Sequence, residues 1–447
     1  MYTNKKILVI GMAKSGLAAV EKLLSMGAIV TVCDIKNDEK IKNTSEKFRQ
    51  LGAKVICGDY PSASEFDLII PSPVIPATNP IITEAHKKNI PVISEIELGF
   101  TLTKNKIIAI TGTNGKTTIT AMLDFLLQHS GRRSLAVGNI GLAFSNNIDD
   151  DLYDYYVVET SSFQLENVSE FHPYIAIVNN FSRDHLERHG TLKEYRNVKM
   201  NIFKKQIKDE FVILNYDEEE VASMAKEAPS RVVFYSRKSE LESGAFLRGK
   251  KIIFRYKGLD STLFDLSDLK IAGNHNLENA MAVASAAFIL GLSSKEIIAG
   301  ITCFKGVEHR LEITRKINGV IFVNDSKATN PESAIVALRA IKNPIILIAG
   351  GSEKPVSYIK FAEEISTKKI KHVILIGKTS SEISLALSAV NYNNYQVEHS
   401  LDDAVIKAFD LSAVGDTVLF SPACASYDMF ENFEERGIKF KKLVNSL

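Results

Sequence analysis

Short runs of β-branched and aliphatic residues alternate with longer amphipathic stretches from one end of the chain to the other. Residues 6–10 and 29–33 read as strands, with a helix over 17–26 between them and Gly27 where it stops. Further strands are predicted at 107–111, 155–159, 175–179 and 211–215, then at 320–324, 345–349, 373–376 and 418–421. Near-continuous apolar strands spaced by helices indicate parallel sheets covered on both faces, so the class is α/β. Between 232 and 269 the pattern changes to short β runs at 232–235 and 252–256, which predicts a small side sheet. Two breaks stand out: the polar stretch 101–105, and 301–305 after an Ala-rich helix that starts near Asn276. At roughly 100–200 residues per domain, the breaks divide the 447 residues into 1–102, 103–302 and 303–447.

Composition narrows the partners. Lys plus Arg number 54 and Asp plus Glu 53, a net charge of +1. That balance gives no electrostatic footprint for nucleic acid and no polybasic membrane signal, so neither partner is expected. The longest apolar stretch, 280–292, falls short of the ~20 residues that span a bilayer. The run 7–10 is too short for a secretory leader and is broken by Gly11 and Lys14. The four cysteines (33, 57, 303 and 424) lie far apart, which argues against a disulfide scaffold or a Cys-rich zinc site. A reducing, cytoplasmic location fits this usage.

Several polar turns sit where candidate strands give way to helices. Gly11-Met12-Ala13-Lys14-Ser15-Gly16 is followed by Asp34 at the end of the next strand, a dinucleotide-type fingerprint with Ala13 in place of the middle glycine. Either it lets backbone approach a phosphate at a helix N-terminus, or it is a tight turn with no ligand. Thr111-Gly112-Thr113-Asn114-Gly115-Lys116-Thr117-Thr118 follows a strand and opens a helix to Ser130, with Gly131 as the stop. Its Gly-Lys-Thr core is that of a P-loop. Backbone N–H groups would cradle phosphates, Lys116 would reach the terminal ones, and the Thr117 hydroxyl would touch Mg²⁺. Ile110 stands where the strict pattern has a glycine, so the loop is a variant.

Glu159 ends a strand. It is either a Mg²⁺ ligand beside the P-loop strand or the first acid of a helix capped by Ser162. His185, in Asn179-Asn180-Phe181-Ser182-Arg183-Asp184-His185, could bind metal or orient a phosphate, with His189 as a competitor and a structural role open to both. Lys199 lies on the helical segment 194–203 and, by composition, is one of many surface lysines. Asn276 and Asn279 share a helix face, to meet an adenine edge or to cap the helix. In the last third, the polar segments 308–312, 324–331 and 421–428 include two at the carboxyl ends of candidate strands, where open α/β sheets bind ligands.

Taken in order, TGTNGKTT, ETSSFQLE, DHLERHG with VKMNIF, GNHNLEN, HRLE, NDSKATN and SPACASYD resemble the Mur ligases over essentially the full length. Within that family the likeness is to the members that add D-glutamate to UDP-N-acetylmuramoyl-L-alanine, with 325–330 the most discriminating piece. The resemblance implies a Rossmann-like UDP-substrate domain at 1–102 and a Rossmann-like amino-acid domain at 303–447. Between them, 103–302 would be a P-loop-type ATPase domain with a parallel sheet plus the small side sheet. It also implies an ATP-dependent amide ligase of peptidoglycan precursor synthesis. ATP would phosphorylate the substrate carboxylate, the amine of D-glutamate would attack the acyl phosphate, and a tetrahedral intermediate would collapse to amide, ADP and phosphate. Such phosphoryl transfer needs charge neutralisation and positioning more than covalent help.

The same resemblance distributes the residues. Gly112, Thr113, Asn114, Gly115, Lys116, Thr117 and Thr118 would bind ATP together with Asn276, Asn279, Arg310 and Asp325. Lys116, His185 and Lys199 would be catalytic. Thr117 and Glu159 would hold one Mg²⁺ and His185 a second, with Lys199 beside it as an N-carbamylated side chain. Lys14, Ser15, Asp34, Ile35, Lys36, Ser72, Asn139, Ser161 and Gln164 would hold the UDP-linked substrate. Lys327, Thr329, Lys354, Ser426, Tyr427 and Phe433 would line the D-glutamate site, where two cations suit two carboxylates. The expected cofactors are ATP and Mg²⁺ at two sites, the expected partners are small molecules, and the expected state is a monomer. The chain departs from the family's usual Ser-Pro-Gly-Ile-Pro, with Val74 in the glycine position of 72–76, and a valine lacks glycine's access to positive φ. In Gly350-Gly351-Ser352-Glu353-Lys354 the acidic residue is also shifted. The alternatives are another amino-acid ligase of the superfamily, a P-loop switch protein, and a nicotinamide oxidoreductase built on 11–34. The last leaves TGTNGKTT without a purpose.

Overall fold

The computed structural model describes residues 1–447 except 140, 272, 354 and 355, and except the side chain of residue 40. It holds three sheets in two compact units, residues 1–304 and 305–447.

The first sheet contains β1 (Lys6–Ile10), β2 (Ile29–Asp34), β3 (Lys54–Cys57) and β4 (Leu68–Pro71), in the order β3-β2-β1-β4 and parallel throughout. Its two faces bury separate apolar sets, one around Val9, Val20, Leu23 and Phe48, the other around Leu8, Ile10, Ile69 and Ile82. The order reverses between β1 and β4, and Gly11 and Ser72 leave the sheet at that switch point. The following helix is Lys14–Ser25. It starts earlier than the predicted residue 17, because Gly16 sits on the strand exit: a Cβ there would overlap the Gly11 carbonyl oxygen. Gly11 itself has φ +97°, and a Cβ on it would lie 2.5 Å from Ser72 Oγ. Both glycines are set by close backbone approach.

The second sheet contains β5 (Lys106–Thr111), β6 (Ser134–Gly138), β7 (Tyr155–Glu159), β8 (Ile175–Val178), β9 (Phe211–Asn215), β10 (Arg231–Ser236), β11 (Gly244–Arg248), β12 (Lys251–Tyr256) and β13 (Leu259–Asp265). The order is β13-β12-β11-β10-β9-β8-β5-β7-β6. The strands anticipated as a side sheet join the main one, since β10 pairs in parallel with β9. Antiparallel pairing is confined to the β11–β12–β13 end. The central strands β8, β5 and β7 are buried apart from the first residues of β5 and β7, because helices cover both faces. One face carries Lys116–His129 with the Ala-rich helix Asn274–Ile289 beside it. Small side chains allow that approach.

The third sheet, in the second unit, contains β14 (Glu312–Ile317), β15 (Val320–Asn324), β16 (Ile345–Gly350), β17 (Ile370–Ile376), β18 (Tyr395–Val397) and β19 (Thr417–Phe420). Its order is β14-β15-β19-β16-β17-β18, parallel except for the β14–β15 hairpin. Leu347, Phe361, Leu375 and Leu419 fill one face, and Phe322, Ile348, Val418 and Phe440 the other. No helix among the described residues is long and apolar enough to cross a membrane.

Candidate functional site

The phosphate loop leaves β5 and turns into the helix Lys116–His129. Gly112 and Gly115 take φ of +153° and +82°, and a Cβ on Gly115 would lie 2.5 Å from both Asn179 Nδ2 and Asn279 Oδ1. Only glycine fits there. Three asparagines brace the loop from beneath. Asn179 Nδ2 donates to Asn114 O at 3.1 Å and to Asn279 Oδ1 at 2.9 Å, and Asn114 N donates to Asn180 Oδ1 at 2.8 Å. Tyr235 Oη donates in turn to Asn179. Asn279 also donates to Asn276 Oδ1 at 3.3 Å, while Gly273 holds the N-cap position of their helix. Asn279 thus supports the loop, and neither asparagine is a cap. Lys116 Nζ donates to Gly112 O and Thr113 O, both at 2.9 Å, so it already lies over the ring of carbonyls and N–H groups that would meet phosphate.

Glu159 ends β7, whose register places it opposite Ile110 of β5. It is 2% exposed. Asn139 Nδ2 donates to its Oε1 at 2.9 Å, but Oε2 is buried with no hydrogen-bond partner among the described residues. A buried carboxylate oxygen without a partner is costly unless something cationic completes it. The donor set of Thr117 hydroxyl and Glu159 carboxylate, beside a phosphate loop, fits a hard divalent cation such as Mg²⁺. The alternative of an acid ahead of a Ser162 cap is corrected: Ser161 is the N-cap, in a reciprocal capping box with Gln164.

Lys199 is no surface lysine. It is 1% exposed, on the helix Leu192–Met200. Its Nζ donates to Gly112 O at 2.9 Å and lies 4.6 Å over the Tyr195 ring. Burial first, then the charge of Lys116, hold its pKa well below the ordinary lysine value, against an opposing pull from Asp184. The histidines separate by environment. His185 has φ +50°, is 43% exposed by its side chain, and pairs loosely with Asp184 at 3.4 Å and Glu187 at 3.5 Å. His189 is buried, bonds Ser162 Oγ at 3.0 Å, and stacks on Tyr195. A left-handed non-glycine residue with a reachable ring is a feature of sites rather than cores.

In the first sheet, Asp34 accepts from Met12 N at 3.4 Å and Lys36 N at 3.0 Å, which orders the turn around Lys14, Ser15 and Ile35. Lys14 Nζ donates to Gly141 O, beyond β6. Ser72 Oγ, at the β1/β4 switch point, is buried without a partner among the described residues. Val74 does not adopt positive φ, so its turn closes without a glycine.

In the second unit, β15, β19 and β16 are neighbours, with Lys327 and Thr329 just after β15 and Ser426 and Tyr427 after β19. Lys327 Nζ lies 5.5 Å over the Phe433 ring, and Ser326 Oγ donates to Phe433 O at 2.8 Å. Tyr427 is exposed and Ser426 buried. The backbone of Thr329 donates to Lys327 O at 2.9 Å. Lys354 lies outside the described residues. Asp325 is buried, accepting from Leu311 N at 3.1 Å and Ser421 Oγ at 2.7 Å.

Three family profiles match consecutive parts of the chain. They are a Mur ligase MurD-like N-terminal domain at residues 5–94, a Mur ligase middle domain at 110–287, and a Mur ligase glutamate ligase domain at 309–424. A protein named UDP-N-acetylmuramoylalanine--D-glutamate ligase from Alkaliphilus metalliredigens is 40% identical over 452 residues, covering 99% of this chain and 98% of that protein. One of the same name from a Thermoanaerobacter species is 41% identical, covering 99% of each. The chain belongs to the Mur ligase family. A crystal structure of MurF from Acinetobacter baumannii shares the fold, with a TM-score of 0.62 at 17% identity over 98% of this chain and 93% of that one.

Catalysis in Mur ligases is ATP-dependent. Within each unit, several residues that brace these loops and strand exits carry no sequence signal of that role. Tyr195 and Tyr235 carry no motif, and Asn179 and Asn180 were only neighbours of His185. Arg436 is fully buried and donates to Ser326, Cys424 O and Ala425 O, which ties the β15 and β19 exits together. Its helix position, after SPACASYD, gives no local hint of that burial.

Asp325 yields a prediction on pH. Burial pushes its carboxyl up to about 7, outweighing Ser421 and Arg310, which pull it down. Its unfolded value is ~3.9. Between those values the folded state binds more protons than the unfolded state, so this group's contribution falls as pH rises from about 4 to 7. Asp325→Asn is expected to flatten the pH dependence of the melting temperature in that window relative to wild type. An identical slope in both, by calorimetry, would contradict the assignment.

Proposed function

We propose that this Mur ligase joins the amine of D-glutamate to the alanyl carboxylate of UDP-N-acetylmuramoyl-L-alanine, with conversion of ATP to ADP and phosphate. The observation that carries the chemistry is the buried Glu159 Oε2, without a hydrogen-bond partner among the described residues, at the strand beside the phosphate loop. The choice of D-glutamate is supported by the names of relatives that match almost the whole chain.

In this reading, residues 1–102 hold the nucleotide end of the substrate, 103–302 hold ATP, and 303–447 hold D-glutamate. The Gly112–Thr118 backbone and Lys116 take the phosphates, with Asn276, Arg310 and Asp325 toward the rest of ATP and Asn279 bracing the loop. Two divalent cations, one on Thr117 and Glu159 and one on His185 with carbamylated Lys199, would neutralise phosphate charge when bound. Ser72, Lys14, Ser15 and the Asp34–Lys36 turn orient the diphosphate end, and Asn139 and Ser161 face the muramoyl-alanine portion. Asn139 also holds Glu159, which links substrate position to the phosphate site. The substrate carboxylate oxygen attacks the γ-phosphorus and ADP leaves. The neutral amine then attacks the acyl carbon, loses a proton, and phosphate departs with its electron pair. Lys327, Thr329, Lys354, Ser426, Tyr427 and Phe433 orient the amino acid for that attack.

The test is ADP release with UDP-N-acetylmuramoyl-L-alanine, ATP and Mg²⁺, across D-glutamate, L-glutamate, L-lysine and no amino acid. Release that depends on D-glutamate alone is expected. Release with another amino acid would overturn the specificity and keep the mechanism. Equal release in every tube, or none, would favour the nucleotide-switch reading.

A further inference from the structure

Arg188 lies within DHLERHG, on the short helix that follows His185, and the sequence assigns it no role. Its guanidinium grips two segments far apart in sequence. Nε and Nη2 donate to the two carboxylate oxygens of Glu166 at 3.0 and 2.6 Å. Nη1 donates to Val74 O at 3.1 Å, and Nη2 to Ile75 O at 2.8 Å. The two charged side chains are each only 12% exposed. We propose that Arg188 is a positioning residue: it ties the 72–76 turn to the 159–166 segment, so that the two ends of the UDP-linked substrate are held in register. The inference rests on the function proposed above.

Three observations support it. The turn has little side-chain anchorage of its own, since Val74 is 72% exposed. Its start is pinned by Ser72 N donating to Ile10 O at 2.7 Å, and it is closed by Ile75 N donating to Ser72 O at 2.9 Å, which leaves the 74 and 75 carbonyls to Arg188. The carboxylate that receives the guanidinium is itself fixed. His189 Nδ1 lies 3.4 Å from Glu166, while the other face of that histidine's contacts is set by Ser162 and Tyr195. The cation also lies 4.8 Å over the Phe163 ring. Four hydrogen bonds from one side chain to a carboxylate and two carbonyls need the guanidinium fork, which an ammonium does not have. Because the tether reads carbonyl oxygens, it is indifferent to the side chain at 74. That accounts for a valine where the family's usual pattern has glycine.

The experiment combines hydrogen–deuterium exchange of the ligand-free chain with steady-state kinetics on Arg188→Ala, Arg188→Lys and Glu166→Gln. In Arg188→Ala, the Ile75 amide is expected to exchange about tenfold faster, with the 107–127 amides unchanged. KM for UDP-N-acetylmuramoyl-L-alanine should rise about tenfold, while KM for ATP and D-glutamate stays within about twofold. Arg188→Lys keeps the charge and should behave like Arg188→Ala. Glu166→Gln gives a milder form of the same split, and serves if the alanine variant folds poorly. Wild-type exchange and KM in Arg188→Lys would overturn the proposal. So would an equal rise in all three KM values with faster exchange throughout residues 1–304, which would assign Arg188 to general stability. The exchange result needs no substrate. A wild-type chain without D-glutamate-dependent release would therefore sink the ligase reading while the tether is still read directly.

Discussion

Lys199→Ala is expected to lose turnover by about 10²- to 10³-fold, and formate or acetate should restore part of it. The reason is environmental. At 1% exposure Lys199 is cut off from water, and burial with the neighbouring Lys116 charge lowers its pKa. A lowered pKa means that more of the amine is neutral near pH 7, and CO₂ adds only to the neutral amine. The nitrogen lone pair forms the N–C bond, a proton leaves, and a carboxylate-like anion results beside the phosphate loop. Acidification through the lowered pKa protonates the amine and removes the carbamate. Activity should therefore fall on the acid side, and should fall in CO₂-free buffer and recover with bicarbonate. Loss in the alanine variant with no recovery by any small carboxylate would leave Lys199 as a plain ammonium and refute the carbamate.

Lys116→Ala is expected to reduce turnover about 10³-fold with an unchanged KM for the UDP-linked substrate. Lys116 Nζ sits 2.9 Å from two loop carbonyls, the point at which a terminal phosphate would take over its contacts. Phosphoryl transfer builds charge on those oxygens, and a desolvated cation there stabilises it most strongly in the transition state. Melting should be close to that of wild type, since the loop's shape is held by its glycines and the Asn179–Asn279 brace. A second effect follows from the shared field. Removing the Lys116 charge removes one cause of the depressed Lys199 pKa, so residual activity should be lost at a higher pH on the acid side. A variant with normal turnover, or with an unmoved acid limb, would separate the two lysines.

The asparagine brace shows how a motif can be read correctly while its internal roles are misread. The spacing of Asn276 and Asn279 put them on one helix face, and they are on one face. The partner of Asn279 is the distant Asn179, at 2.9 Å. A helix window cannot contain that information, because five strands, β9 to β13, separate the two residues along the chain. The same holds for Ser161 and Gln164. Both were expected at the substrate, and the folded chain also uses them to cap their own helix.

By itself, the amino-acid sequence determined the strands buried on both faces. The bounds at 155–159, 211–215 and 320–324 coincide with β7, β9 and β15, because a strand covered on both sides is a near-continuous apolar run, broken here only at its last residue. It also determined the phosphate loop, whose glycines are demanded by local backbone conformation. Only the tertiary structure decided which of two histidines is exposed, which lysine is buried, and which arginine joins two segments. It also decided that β10 to β13 extend the main sheet rather than form another. Burial, pKa and long-range hydrogen bonds depend on what the rest of the chain places around a residue, and a composition or spacing rule sees only its neighbours in sequence.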